Sequence, residues 1–120
     1  MSDAAKAYAR TATTTASPRE IEAQALLKAA NQLQAAMGNG ATMQSMKDAL
    51  LFNRKLWSIF MADALRDGSP QSIEIRQQIA NIATFVLTQT SALQLDPQPE
   101  HFKSLIEINR NLAAGLSGRA

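Results

Sequence analysis

Residues 43–66, MQSMKDALLFNRKLWSIFMADALR, decide how this sequence folds. At about 100° of rotation per residue, Met46, Ala49, Leu50, Leu56, Trp57, Phe60, Met61 and Ala64 gather on one wide face of a helix. No part of the stretch alternates apolar and polar residues for long enough to argue a strand. A helix with so broad an apolar face is stable only when other helices cover it, because tertiary packing rather than propensity supplies most helical stability.

Those partners are marked out by start and stop signals on either side. Ser17-Pro18-Arg19-Glu20 combines an N-cap serine, a proline at the first helical position and a glutamate placed for a capping box. It predicts a first helix from Pro18 to Met37, ended by Gly38-Asn39-Gly40. The second helix closes at Asp67-Gly68, and Ser69-Pro70 repeats the start signal for a third that reaches Gln94. Asp96-Pro97-Gln98-Pro99 breaks the chain before a fourth helix, from Glu100 to Ala114, with Gly115 as its cap. The fold class is therefore all-α, a small antiparallel bundle of four main helices. Residues 1–16 are read as a loose N-terminal arm, 17–116 as one helical domain and 117–120 as a tail. Leu50, Trp57, Phe60, Ile79, Ile82, Val86, Leu105, Ile108 and Leu112 are expected in a single core.

Composition agrees with one modest aliphatic core. Of 120 residues 46% are hydrophobic but only 5% aromatic, which fits one domain and is too little for two. The net charge is +2, too small to leave a nucleic-acid footprint despite a pI of 9.3. Cysteine is absent, which removes disulfides, thiol nucleophiles and thiolate metal sites. No apolar run approaches the ~20 residues of a membrane span, and residues 1–15 lack the apolar centre of a signal peptide. Cytoplasmic localisation is the resulting expectation.

Several residues stand where a plain bundle would not put them. Asn53 points to the middle of the apolar face of the second helix, and Asn109 lies inside the fourth helix's stripe of Leu105, Ile108, Leu112 and Leu116. An unpaired amide in an apolar layer costs on the order of 2–7 kcal/mol, so each needs partners. Either the two bond internally and fix helix register, or one of them, Asn53, meets the backbone of a binding partner. The internal reading is preferred, because buried polar groups are usually satisfied within the chain. Arg76 sits among Ile79, Ala83 and Leu87, where a carboxylate such as Glu107 or a snorkelling stem would make it structural.

Phe52, Ile59 and Phe85 err in the other direction, on flanks that should be wet. They either pack beneath a loop or the N-terminal arm, or anchor a docked amphipathic helix. Lys47, Arg54, Lys55 and Arg66 give the second helix a basic outer face, which is usually solvated surface. Catalytic constellations are missing. His101 is the one histidine, and there is no HExxH pair, phosphate-cradling glycine loop or paired-carboxylate motif. The sequence is read as a binding protein, not an enzyme, with no cofactor and no metal.

Two blocks of sequence carry a family resemblance. Ala49-Leu50-Leu51-Phe52-Asn53-Arg54-Lys55-Leu56-Trp57 resembles the "AL…N..LW" block of the FlaF family of flagellar biosynthesis regulators. Phe102-Lys103-Ser104-Leu105-Ile106-Glu107-Ile108-Asn109-Arg110, followed by Gly115-Leu116, is similar to that family's closing "F..LI(D/E)INR….GL" block. The Ser17-Pro18-Arg19-Glu20 start and the segment from Ile75 to Leu87 fit in the same order, so the likeness spans about Tyr8 to Leu116. Glu107 stands where aspartate is commoner, and Phe85 where tryptophan is expected.

The resemblance implies a cytoplasmic protein that binds flagellin and promotes its production and secretion, in opposition to the repressor FlbT. On that reading it is a chaperone or adaptor for flagellin's amphipathic terminal segments, with Phe52, Asn53, Ile59 and Phe85 as candidate binding residues. The family-motif residues Leu50, Asn53, Leu56, Trp57, Arg76, Leu105, Ile106, Ile108, Asn109, Arg110 and Gly115 are then structural. The alternative is a post-transcriptional regulator that acts through flagellin mRNA or FlbT, with the basic face of the second helix as its support. A direct nucleic-acid partner is not the expectation, and neither is membrane insertion.

Overall fold

The structure, a computed structural model, describes residues 18–118. Four helices make up the fold, with no strand among the described residues: α1 (Pro18–Ala35), α2 (Met43–Leu65), α3 (Ile73–Leu95) and α4 (Phe102–Leu116). A short 3-10 turn, Pro99–His101, leads into α4. The expected all-α bundle of four main helices is the one observed. The loose arm and the Ser17 cap lie outside the described residues.

Boundaries differ from expectation in instructive places. Helix α2 starts with a capping box the sequence reading missed: Thr42 Oγ1 accepts from Ser45 N at 3.0 Å, and Ser45 Oγ accepts from Thr42 N at 2.8 Å. Here serine takes the role usually given to glutamate or glutamine at that position. Helix α3 does not begin at Ser69-Pro70. Its N-cap is Ser72, whose hydroxyl accepts from Ile75 N, and Ser69-Pro70 instead belongs to the loop that follows Gly68, at φ +79°. Gly115 is not a cap either. It lies inside α4, which runs on to Leu116 and ends on Ser117, whose N–H donates to the carbonyl of Ala113.

Packing pairs the helices unequally. Helix α1 lies along α4 and α2 along α3, with a lighter contact between α1 and α2. The α1–α4 seam is close because α1 turns Ala23, Ala29 and Ala30 inward and α4 brings Ala113, all buried. Cross-links fix directions. Asn53 meets Thr90 and Arg54 meets Gln94, while twelve residues separate Arg76 from its acceptor Ala64, so α3 runs antiparallel to α2. The core holds Leu26, Leu33, Leu50, Trp57, Phe60, Val86, Phe102 and Leu105. Trp57 and Phe60 meet edge to face, with centroids 5.3 Å apart at 88°, a favoured aromatic geometry.

Of the expected core, Leu50, Trp57, Phe60, Val86 and Leu105 are buried, and Ile79, Ile108 and Leu112 pack half-buried against them. Ile82 is a correction: it is 38% exposed, because the side of α3 that carries it faces an open seam.

Candidate functional site

Both anomalous asparagines are fully buried, and they bond to each other. The Trp57 indole Nε1 donates to Asn109 Oδ1 at 2.9 Å, and Asn109 Nδ2 donates to Asn53 Oδ1 at 2.8 Å. Asn53 Nδ2 then donates to Thr90 Oγ1 at 3.3 Å, whose hydroxyl donates to the Val86 carbonyl one turn back on α3 at 2.6 Å. Four hydrogen bonds thus run in one direction from α2 to α4, back to α2 and on to α3. No buried side-chain polar atom of the described residues lacks a partner. Asn53, read from the sequence both as a binding candidate and as a structural residue, is fully buried, with its amide bonded to Asn109 and Thr90.

Arg76 is structural by a different route from the one expected. Its Nε donates to the Ala64 carbonyl and its Nη2 to the Arg66 carbonyl, both at 2.9 Å. The guanidinium therefore closes the C-terminal end of α2, where helical carbonyls lack intrahelical donors and partial negative charge accumulates. Glu107 is exposed on α4 and is not its partner. Among the other motif residues, Ile106 is buried, Leu56 and Ile108 are half-buried, and Arg110 and Gly115 are exposed.

The remaining candidates do not form one groove. Phe52 and Ile59 line a shallow trough of about 360 Å³ along α2, together with Leu51 and Leu56. Ile59 is 65% exposed, whereas Phe52 is half-buried with Lys28 Nζ 5.2 Å above its ring. Phe85, 48% exposed, is not among the residues of that trough.

Phe85 instead extends a stripe on α3 that includes Ile82, a residue expected in the core. Ile75, Gln78, Ile82 and Phe85 recur at helical spacing, and the first three line a cleft of about 940 Å³. Across from them stand Leu112 and Leu116 of α4, with Phe60 and Ala64 of α2 at the floor. The start of α1 closes one end through Pro18, Arg19 and Glu22. The cleft exists because α4 packs on α1 rather than on α3, which leaves the α3–α4 seam unfilled at the end of the bundle where α2 ends and α3 begins. The two hollows share no lining residue.

The mouth of the cleft carries charge of both signs. Arg66 pairs with Asp63 at 3.4 Å. Burial pushes the Glu22 carboxyl above its ordinary value, the nearby Asp63 carboxylate pushes it the same way, and Arg19 offsets part of this. Among the described residues no cluster of three or more His, Cys, Asp or Glu could hold a metal ion, and no helix is long and apolar enough to cross a membrane. The arrangement therefore offers apolar shape with a charged rim, which suits holding a helix.

Comparison with protein-family models matches residues 4–116 to the flagellar protein FlaF. The chain belongs to the FlaF family. No curated protein and no solved structure matches it. In this FlaF chain the motif positions Asn53, Trp57 and Asn109 are members of the buried relay. The open surfaces are the α3 stripe and the outer face of α2, where Leu51, Phe52, Lys55 and Leu56 of the same sequence block line the trough. Sequence reading flagged Phe85 by its isolation among polar residues. It missed Ile75 and Ile82, because an apolar stripe looks the same whether or not a neighbouring helix covers it.

Proposed function

We propose that this FlaF protein is a cytoplasmic flagellin-binding chaperone and adaptor that covers an amphipathic terminal segment of flagellin in the α3–α4 cleft. The observation that carries the reading is the cleft itself. It is largely apolar, open, of a size found for ligand sites, and lined by Ile75 and Ile82, with the exposed Phe85 one turn further along α3, at the spacing that helix-in-groove recognition uses. Covering the apolar face of such a segment keeps it from polymerising before export. Ordering the segment on binding takes up part of the interaction energy, which leaves an affinity compatible with release at the export gate. Promotion of flagellin production, in opposition to FlbT, follows when the protein reports on whether flagellin is held.

Calorimetry of the purified protein with flagellin, nuclease-treated to exclude bridging nucleic acid, tests the reading. Ile82→Glu places a charge on the wall of the cleft at a position already 38% exposed, so the bundle tolerates it. Affinity should fall by roughly thirtyfold or more, as for a hot-spot residue, and Phe85→Ser should weaken binding with circular dichroism unchanged. A folded Ile82→Glu variant that binds flagellin as tightly as the parent would remove the cleft from the function.

A further inference from the structure

The outer face of α2 is a second surface, and its chemistry differs from that of the cleft. Two helical rows run side by side along it, Leu51–Lys55–Ile59 and Asp48–Phe52–Leu56, with the trough between them about three turns long. Leu51 and Ile59 are 41% and 65% exposed, more apolar surface than scattered single residues would leave. Charge around the trough is one-sided. Lys47 and Arg54 stand on one flank, Lys55 within it, and Lys28 of α1 leans over Phe52 from the other flank. Among the described residues the only acid lining it is Asp48, whose carboxylate accepts from Gln44 Nε2 at 2.8 Å.

We infer that this face docks an acidic amphipathic helix of a partner protein, with apolar side chains against Leu51, Phe52, Leu56 and Ile59 and carboxylates against Lys55 in the trough and Lys28 and Lys47 on its two flanks. Charge complementarity selects the occupant: Lys28, Lys47, Arg54 and Lys55 outnumber the single lining acid Asp48, while the cleft mouth balances Arg19 and Arg66 against Glu22 and Asp63. A bilayer fits less well, because Phe52 and Leu56 are half-buried and the Lys28 stem already covers the aromatic ring, so the apolar groups form a trough instead of a protruding wedge. RNA fits less well for the same reason, since its bases need a free aromatic face to stack on. The surface does not depend on the flagellin reading, and it allows a FlaF protein to hold a segment in the cleft and a second partner along α2 together.

Two labelled fourteen-residue helical peptides test this by fluorescence anisotropy with the full chain. They share leucines at i, i+3, i+4 and i+7 and differ only in flanks of Glu or of Lys. Exposed charge pairs each change affinity by roughly two- to threefold at low salt, so three of them should favour the Glu peptide by about tenfold, and the preference should shrink at high ionic strength. Ile59→Ser should weaken both peptides, and the double variant Lys47→Glu/Lys55→Glu should reverse the preference. Ile82→Glu, in the cleft, should change neither, which separates this surface from the flagellin site. Equal binding of the two peptides overturns the inference, as does a preference that survives the double charge reversal or is lost in Ile82→Glu. Ile59-dependent binding to phosphatidylglycerol vesicles without discrimination between the peptides would assign the face to a membrane instead and likewise overturn it.

Discussion

Replacing Asn109 by alanine should destabilise the bundle more than any ordinary surface or boundary change, and the structure sets the size of the effect. The side chain is fully buried and bridges two other groups with no exposure, accepting from the Trp57 indole and donating to Asn53 Oδ1. Without it, a buried N–H and a buried carbonyl oxygen both lose their partners. Each such orphan costs about 1–3 kcal/mol, so Asn109→Ala should lose ~4 kcal/mol, against a total of roughly 5–15 for a domain of this kind. At about 4–8 °C per kcal/mol, the melting temperature should drop by some 15–30 °C. Urea unfolding followed by the fluorescence of Trp57, the sole tryptophan, reads the loss directly. The loss should be the same with or without flagellin, because no atom of the relay reaches the surface. Asn53→Ala should behave alike, and the double variant should lose less than the sum of the singles, because the two share one hydrogen bond. A loss under about 1 kcal/mol for Asn109→Ala, or strict additivity of the pair, would refute the relay as a register device.

Arg76→Met keeps the apolar stem but strips both carbonyl contacts at the end of α2, and should cost about 1–2 kcal/mol by thermal melting, with Arg76→Lys recovering only part of it since one ammonium cannot span both acceptors. Glu22 supplies a pH dependence. Its folded pKa is raised above the ordinary 4.5, so the folded state binds more protons, and stability should fall as pH rises from about 4.5 through the raised value. Glu22→Gln should flatten that part of the profile and stabilise the protein at pH 7. Denaturant midpoints measured between pH 4 and 8 check both statements.

The sequence carried the helices well and their partnerships poorly. Trp57, Leu50 and Leu105 declare their burial through period and size, and the odd amides Asn53 and Asn109 announce each other because a buried amide needs a specific partner. Boundaries failed where two signals competed. Ser69-Pro70 is as good a start as Ser72 by composition, and only the position of Gly68 in a left-handed turn gives the cap to the later serine. Arg76 shares a helical face with Ile79 and Ala83 by sequence, but its partners are backbone carbonyls, which have no sequence signature. The cleft was invisible for a deeper reason. Whether Ile75 and Ile82 are covered depends on α4 choosing α1 over α3, and that choice rests on how closely Ala23, Ala30 and Ala113 let two backbones approach. Phe85 was legible as exposed, yet its grouping with Ile82 rather than with Phe52 is a property of the assembled bundle.

The pairing of α1 with α4 also has a consequence in time. Synthesis proceeds from α1 to α4 at roughly 5–20 residues per second, so α1 is made well before its principal neighbour exists. For several seconds its inward alanines, Leu26 and Leu33 face only the lighter contact that α2 can give. Helices α2 and α3, adjacent in sequence and joined by a short loop, can meet at once, as local contacts form fastest. Birth of this protein on the ribosome is therefore a two-step assembly, in which a central hairpin stands ready and the first helix waits for the last one to emerge.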